Sequence, residues 1–501
     1  MRNSWARTYS MQKLVDNPRL YEINTRVWLR QFDTDSQRAT LADVPDSYWD
    51  SLSRYGMHII WLMGVWVTNE SIVERYDFRE DLMAHYDRTL PGWTKEDVIG
   101  SPYAIDTYTL NPAVGNAVDL ARVRAALHSR DMRLMLDFVP NHFSADSSLI
   151  DSHPEIFLHG SEYDLAHDPQ TFYRAGKAQQ VFAHGRDPYF PAWPDTIQVN
   201  YFSDDARAYM RDTLLYLADI CDGVRCDMGM LVINDIFAHT WGSQVGDNWP
   251  ASEFWTDTIP QVKQHTRDFI FMAEAYWGRE WQLQQQGFDY TYDKSLTDRL
   301  HAGNVQDVRN HLMAESDYQH HSVRFLENHD EDPAIAEFGK ARSLAAAIII
   351  STIPGMRFYN DGQFAGKAVR PPVQMGRALQ EPVQQDVLRF YEKLMSITSD
   401  EVFLNGLWQQ LWPLEAWPGN ESHQQMLAWE WRKGDDRRLV VVNYSGATCQ
   451  CRLKFDLSGM ADSLEFVDLL HDVGYQRERE EIIQQGLFIE LAGYQGHIFV
   501  F

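Results

Sequence analysis

A series of short apolar runs without polar alternation constrains this chain more than any other feature. The segments RLMLDF at 133–138 and FIFMAE at 269–274 are apolar on both faces almost to their ends. A strand with one wet face alternates, whereas a strand covered on both faces does not. Comparable runs recur at 20–24, 58–63, 223–226, 288–292, 323–326 and 356–359, giving eight in all. Segments of helical period lie between them, such as 119–128, 205–220 and 305–313. Parallel strands need a crossover, usually a helix, so this alternation predicts an α/β fold with a (β/α)8 TIM barrel. An open doubly wound sheet is the alternative. No run is followed by GxGxxG or GxxxxGK[ST], so neither a dinucleotide nor a nucleoside triphosphate site is expected.

Two connections exceed a simple crossover. One spans 64–101 and is rich in charge and aromatic residues; the other runs from His142 to about Asn200. The barrel is therefore read as 1–142 plus 201–395, with an inserted loop-rich domain at 143–200. Long insertions in a barrel usually shape its substrate face. Past residue 399 the pattern changes to short β-like runs, LVVVNYS, CQCRLKF, LEFVDLL, LFIEL and HIFVF. They predict a C-terminal β-sandwich domain over 396–501.

Acidic residues outnumber basic ones 71 to 45, for a formal charge of −26. Nucleic acid and anionic membrane surfaces both need clustered Lys or Arg, so neither is an expected partner. A small neutral substrate fits this charge best. The longest apolar run, 344–353, is too short to span a bilayer and leads into Pro354-Gly355, as a buried helix end would. The N-terminal stretch MRNSWARTYSMQKLVDNP lacks the apolar core of a secretory signal. Neither Cys221/Cys226 nor Cys449/Cys451 has a spacing that suggests a disulfide or a zinc site. A cytoplasmic location is the expectation.

Four of the apolar runs end in polar clusters. They are DFVPNH (137–142), GVRCDMGM (223–230), FMAEAYW (271–277) and FLENHDE (325–331). Barrel enzymes keep their chemistry at the carboxyl ends of the strands. A helix cap accounts for one such cluster but not for four, on the third, fourth, fifth and seventh runs. Each cluster places carboxylate, Arg, His or Asn just after an apolar run.

In order and strand assignment the four clusters resemble the short sequence regions of the α-amylase family of glycoside hydrolases. The likeness extends to YEINTRVW as the first strand, SPYAIDTYTLNPAVG before the third helix, WPDTIQVNY on return to the barrel, and IPGMRFYNDGQ at the eighth strand. It implies Asp227 as nucleophile, Glu274 as general acid/base, and Asp330 as the carboxylate that binds hydroxyls and stabilises the transition state. Tyr103, His142, Arg225 and His329 are implied as substrate-binding residues. Retention of this kind needs two carboxyl groups roughly 5–5.5 Å apart. Phe271, Met272, Tyr276 and Trp277 are expected to supply an apolar setting that keeps Glu274 protonated.

The chain departs from typical α-amylases where they follow the nucleophile with Lys-His. Here Met228, Gly229, Met230 and Leu231 follow. Asn141 stands at a position that binds calcium in the family, yet no DxDxDG-type loop is present. No metal or cofactor is assigned on this basis, and a structural calcium ion is left open. Together with the long segment after the second strand, these departures predict a pocket for a small α-glucoside, a disaccharide or a glucosyl-polyol. By resemblance, glucosylglycerol hydrolases are the model for that reading. The alternatives are a glucosyltransferase or phosphorylase using the same covalent intermediate, with Arg357 and Arg370 as candidate phosphate ligands, or an intracellular α-amylase.

Overall fold

The computed structural model describes residues 11–246 and 249–501, so most of the N-terminal stretch lies outside it. Eight parallel strands close into a barrel: β1 (Arg19–Asn24), β2 (Ile59–Met63), β3 (Arg133–Phe138), β4 (Gly223–Cys226), β5 (Ile270–Ala273), β6 (Tyr290–Tyr292), β7 (Ser322–Arg324) and β8 (Met356–Asn360). Each strand pairs with its sequence neighbour, and β1 pairs with β8 through Leu20 and Phe358. All eight coincide with the apolar runs of the sequence. The open doubly wound alternative is thereby excluded.

The absence of alternation follows from the two faces of each strand. Leu20, Ile59, Trp61, Met135, Met272, Val323 and Phe358 point inward and fill the barrel. Ile60, Leu62, Leu134, Leu136 and Phe271 point outward beneath the helices. The covering helices carry local stop and start signals. Helix Ala117–His128 begins with a capping box between Asn116 and Asp119. Gly355 opens β8 at a left-handed φ of 113°, and a Cβ there would collide with the carbonyl oxygens of Gln319 and Ser322.

The two long connections are built elements. The segment after β2 holds helices α1 (Glu70–Tyr76) and α2 (Glu80–Thr89), which pack around Tyr86, Leu90, Val98 and Met375. The segment after β3 leaves and returns as an antiparallel pair, with Phe143 opposite Ile197. Between these strands a hairpin pairs Phe172–Ala175 with Gln180–Ala183.

Helix α3 (Gln385–Thr398) runs across the expected boundary at 395/396, and the next sheet begins at Leu407. That antiparallel sheet has six strands, among them β9 (Ser463–Asp468), β10 (Val473–Glu478) and β11 (Gly496–Val500). A two-stranded sheet packs against it through Cys449, Cys451, Leu453, Ile489 and Leu491, giving a small sandwich core. All four cysteines are buried thiols. Among the described residues no helix is long and apolar enough to cross a membrane.

The bottom of the barrel is tied to α3 by one buried cation. Arg19 donates to the carbonyls of Tyr55 (2.6 Å) and Met395 (3.0 Å) and to the hydroxyls of Thr398 (2.7 Å) and Ser399 (2.9 Å). Burial pushes its pKa down to about 10, so the side chain stays charged at neutral pH. Arg19→Ala strands these buried acceptors. We expect it to cost roughly 2–4 kcal/mol, read as an earlier urea midpoint with an unchanged circular dichroism spectrum below the transition.

Candidate active site

Three strand ends bring the carboxylates together. Backbone pairing continues beyond β4 and β5: Asp227 N–H donates to Phe138 O (2.8 Å) and Glu274 N–H to Cys226 O (3.0 Å). This fixes where both side chains leave the barrel rim. Arg225, one inward position before Asp227, lies between them. Its Nη1 donates to Asp227 Oδ1 and its Nη2 to Glu274 Oε2, each at 2.7 Å. The guanidinium is fully buried near the rings of Trp61 and Tyr103 (5.2 Å each) and Tyr292 (5.8 Å).

Glu274 accepts two further hydrogen bonds, from Met228 N–H (2.7 Å) and the Tyr276 hydroxyl (2.8 Å). Met228 turns into the left-handed region, φ 45°, and its amide meets the carboxylate there. Burial pushes the pKa of Glu274 up; Arg225 opposes this, and the charges of Asp227 and Asp330 add to it. Burial also raises Asp227, again against Arg225.

The expected apolar setting of Glu274 is corrected here. Phe271 faces outward onto Phe269 and Phe288, and Met272 lies in the barrel interior. Trp277 is partly exposed beside Tyr189. Tyr276 contacts the carboxylate through its hydroxyl. The upward shift therefore comes from burial and neighbouring anions, not from a hydrophobic wall.

Asp330 behaves oppositely. Desolvation in the cavity would raise its carboxyl, but His329 holds it down to about 2. Burial alone would lower His329, but Asp330 and Glu22 raise it well above the usual imidazole value. His329 Nδ1–H donates to Glu22 Oε1 at 2.5 Å. Its Nε2 lies 2.9 Å from Asp330 Oδ2 and 2.9 Å from the Tyr103 hydroxyl. Glu22 was missed in the sequence. Its signal was a carboxylate at an inward position of a fully covered strand.

Tyr103, His142, Asp227, Glu274 and Asp330 line one cavity of about 610 Å³. Asp330 is 45% exposed toward it. Arg225 and His329 do not reach it. Both lie beneath the floor and hold the carboxylates that line it, Arg225 those of Asp227 and Glu274 and His329 that of Asp330. Burial lowers His142 to about 4 against the charge of Asp195, leaving it a neutral imidazole.

The cavity walls come from the two long connections. Asp77, Arg79 and Leu82 enter from the segment after β2, and Phe190, Trp193 and Asp195 from the segment after β3. Asp77 is 2% exposed, its Oδ2 has no hydrogen-bond partner among the described residues, and burial followed by Asp195 pushes it up to about 7. Asp195 is raised by burial against His142. Neither wall carboxylate stood out in the sequence, because both lie in loops without periodicity.

Three further groups of residues are placed by the structure. Met230 and Leu231 fold into the core, so only Met228 edges the cavity after Asp227. Arg357 is buried and donates to Phe403 O (2.8 Å), and Arg370 pairs with Asp332 (3.4 Å), so neither is a free phosphate ligand. At Asn141 the Gln198 amide donates to Asn141 O, Asn141 Oδ1 and Val199 O at 2.9–3.0 Å. An NH2 group thus occupies the oxygen cluster that a calcium ion would need, and these residues do not fit one.

The comparisons agree with this geometry. The family profile for the α-amylase catalytic domain matches residues 99–370. α-Amylase MalA of Haloarcula japonica is 22% identical over 312 residues, covering 60% of this chain and 42% of that protein. α-Amylase 3 of Dictyoglomus thermophilum is 20% identical over 281 residues, 52% of each. The chain thus spans about half the length of the curated relatives it matches. The solved maltogenic α-amylase AmyB of Thermotoga neapolitana superposes with a TM-score of 0.69 at 19% identity, over 97% of this chain and 99% of that one. An acarbose-complexed α-amylase of Geobacillus thermoleovorans gives 0.68 at 15% identity, over 98% and 99%. With more than half of its length matched by the family profile, on a closed barrel with three clustered carboxylates, the chain belongs to the α-amylase family of glycoside hydrolases.

Proposed function

We propose that this protein hydrolyses a small neutral α-glucoside with retention of configuration. The observation that carries the reading is Arg225, whose two nitrogens hold Asp227 and Glu274 side by side at the floor of the cavity. Asp227 attacks the anomeric carbon while Glu274 protonates the leaving oxygen. A covalent glucosyl–Asp227 ester forms, and Glu274 then deprotonates the water that hydrolyses it. Asp330, held anionic by His329, accepts hydroxyls of the bound glucosyl unit and offsets its developing positive charge.

The cavity supports a small, uncharged aglycone. Its volume suits a ligand of disaccharide size. Its lining carries six carboxyl side chains, Asp77, Asp187, Asp195, Asp227, Glu274 and Asp330, against one guanidinium, Arg79. Phosphate as an acceptor would meet this field unfavourably, which favours water over phosphorolysis. Hydroxyl groups of a polyol such as glycerol would find hydrogen-bond partners along the wall that carries Asp77 and Asp195. A second reading, action on longer α-glucans, is favoured by the exposed rings of Tyr189, Phe190 and Trp277, which suit a sugar chain.

The deciding measurement is kcat/KM for glucosylglycerol, maltose and soluble starch under one set of conditions. A preference for starch would overturn the small-substrate reading, and β-anomer as the first product by NMR would overturn retention. Asp227→Asn is expected to lower kcat by several powers of ten with an unchanged fold. Glu274→Gln should spare activated aryl glucosides relative to natural ones, because a good leaving group needs little protonation. Glu274 must be protonated to act, and its pKa is raised, so it sets the alkaline limb of kcat/KM. That limb should vanish in Glu274→Gln assayed with the aryl substrate. Asp77→Ala should raise KM for the preferred small glucoside about tenfold, the loss of one charge-assisted hydrogen bond, with a smaller effect on kcat.

A further inference from the structure

The C-terminal sandwich holds a cluster unrelated to the cavity. Strand β9 ends at Asp468, and residues 469–472 turn the chain into β10. The turn carries His471. Strand β11 runs beside β9, pairing Phe499 with Asp468, and carries His497. The Nδ1 atoms of both histidines point at one oxygen, Asp468 Oδ2; His497 Nδ1 lies 2.6 Å from it, and His471 Nδ1 also contacts it. The three candidate ligand atoms all lie within 4.8 Å of one another.

We propose that Asp468, His471 and His497 form a binding site for a divalent transition metal ion of the zinc class. Two imidazoles and one carboxylate are a nitrogen-rich set, which zinc accepts and which calcium or magnesium, binding through oxygen, does not. The carboxylate is held for the task. Asp468 is 0% exposed, and its other oxygen accepts the N–H groups of Leu470 (3.1 Å) and Ile498 (3.2 Å). Such outer-shell bonds fix a metal-binding carboxylate and leave one oxygen free to coordinate. The approach is open, since the His471 side chain is 48% exposed. Ligand atoms around a tetrahedral zinc ion stand about 3.4 Å apart, given bonds of about 2.1 Å. His471, on an exposed turn, can withdraw to that spacing by side-chain rotation, and the His497 ring must open its 2.6 Å contact with Asp468 Oδ2 by about 0.8 Å as well, both backbones staying in place. Water completes the coordination.

Without an ion, the same carboxylate accepts a proton-bearing nitrogen from each imidazole, so the cluster is also satisfied as a hydrogen-bonded triad. The ion takes the place of those two protons, which pass to solvent or reappear on Nε2 as each imidazole adopts its Nε2–H tautomer, and it links the turn to β11. The turn also touches the barrel, since Asp472 accepts from Lys393 Nζ of α3 at 2.7 and 2.9 Å. A bound ion would therefore stiffen the junction between barrel and sandwich.

The test uses the full chain, stripped with a chelator and dialysed against zinc chloride, with bound metal measured by mass spectrometry. We expect one equivalent of zinc and a Tm that rises with zinc concentration. His471→Ala and His497→Ala should each weaken binding roughly tenfold or more, at least the usual cost of losing an outer-shell partner. Both should also abolish the zinc-dependent Tm shift. Cobalt(II) added to the wild-type chain gives an independent reading, a d–d absorption band of tetrahedral type. No stoichiometric zinc in the wild type, or equal binding in both variants, would overturn the proposal and leave the hydrogen-bonded triad.

Discussion

The site depends on one buried cation held between two anions. Asp227 and Glu274 sit at adjacent strand ends, and as a bare pair in a low-dielectric interior their charges would repel strongly. Arg225 resolves this with a planar fork that reaches both at 2.7 Å. Lysine offers a point charge and could not hold both carboxylates in one plane. The guanidinium in turn rests on Trp61, Tyr103 and Tyr292, whose ring faces favour a cation and admit little water. Positions across four strands and one loop are thus committed to the placement of one arginine.

A second buried network repeats this arrangement with different signs. His329 stands between Glu22 and Asp330 as the cation, and it keeps Asp330 ionised while Glu274 is pushed toward protonation. The carboxylates on one floor therefore divide: His329 holds Asp330 ionised, while burial raises both Asp227 and Glu274 against the Arg225 they share. This divergence separates acid from anion in a site where all three residue types are alike. The barrel supplies that floor, and the two long connections supply the walls.

The walls also explain how little of substrate choice is written in the short motifs. Met230-Leu231 looked like the edge of the site by its place after the nucleophile, yet both side chains turn into the core. Asp77 and Asp195 sit more than a hundred residues apart in segments without periodicity, and they meet only because helix α1 and the return strand frame one cavity. Asn141 is similar. Its residue type is that of a calcium ligand, but Gln198, 57 positions away, fills its oxygen cluster with an amide.

The sequence by itself determined the barrel, because strands covered on both faces cannot alternate and must be joined by covering helices, and that pattern is local. It also determined the floor, because Asp227, Glu274 and Asp330 each follow a strand whose end is readable. What only the tertiary structure decided was contact between distant segments. It sets Arg225 and His329 beneath the floor, outside the cavity. It places Glu22 against His329 across 307 positions and brings Asp77 to the same wall as Asp195. Strand periodicity repeats every two residues and can be read in a short window. Burial, charge balance and pKa depend on which loops close over a strand end, and no short window contains both partners.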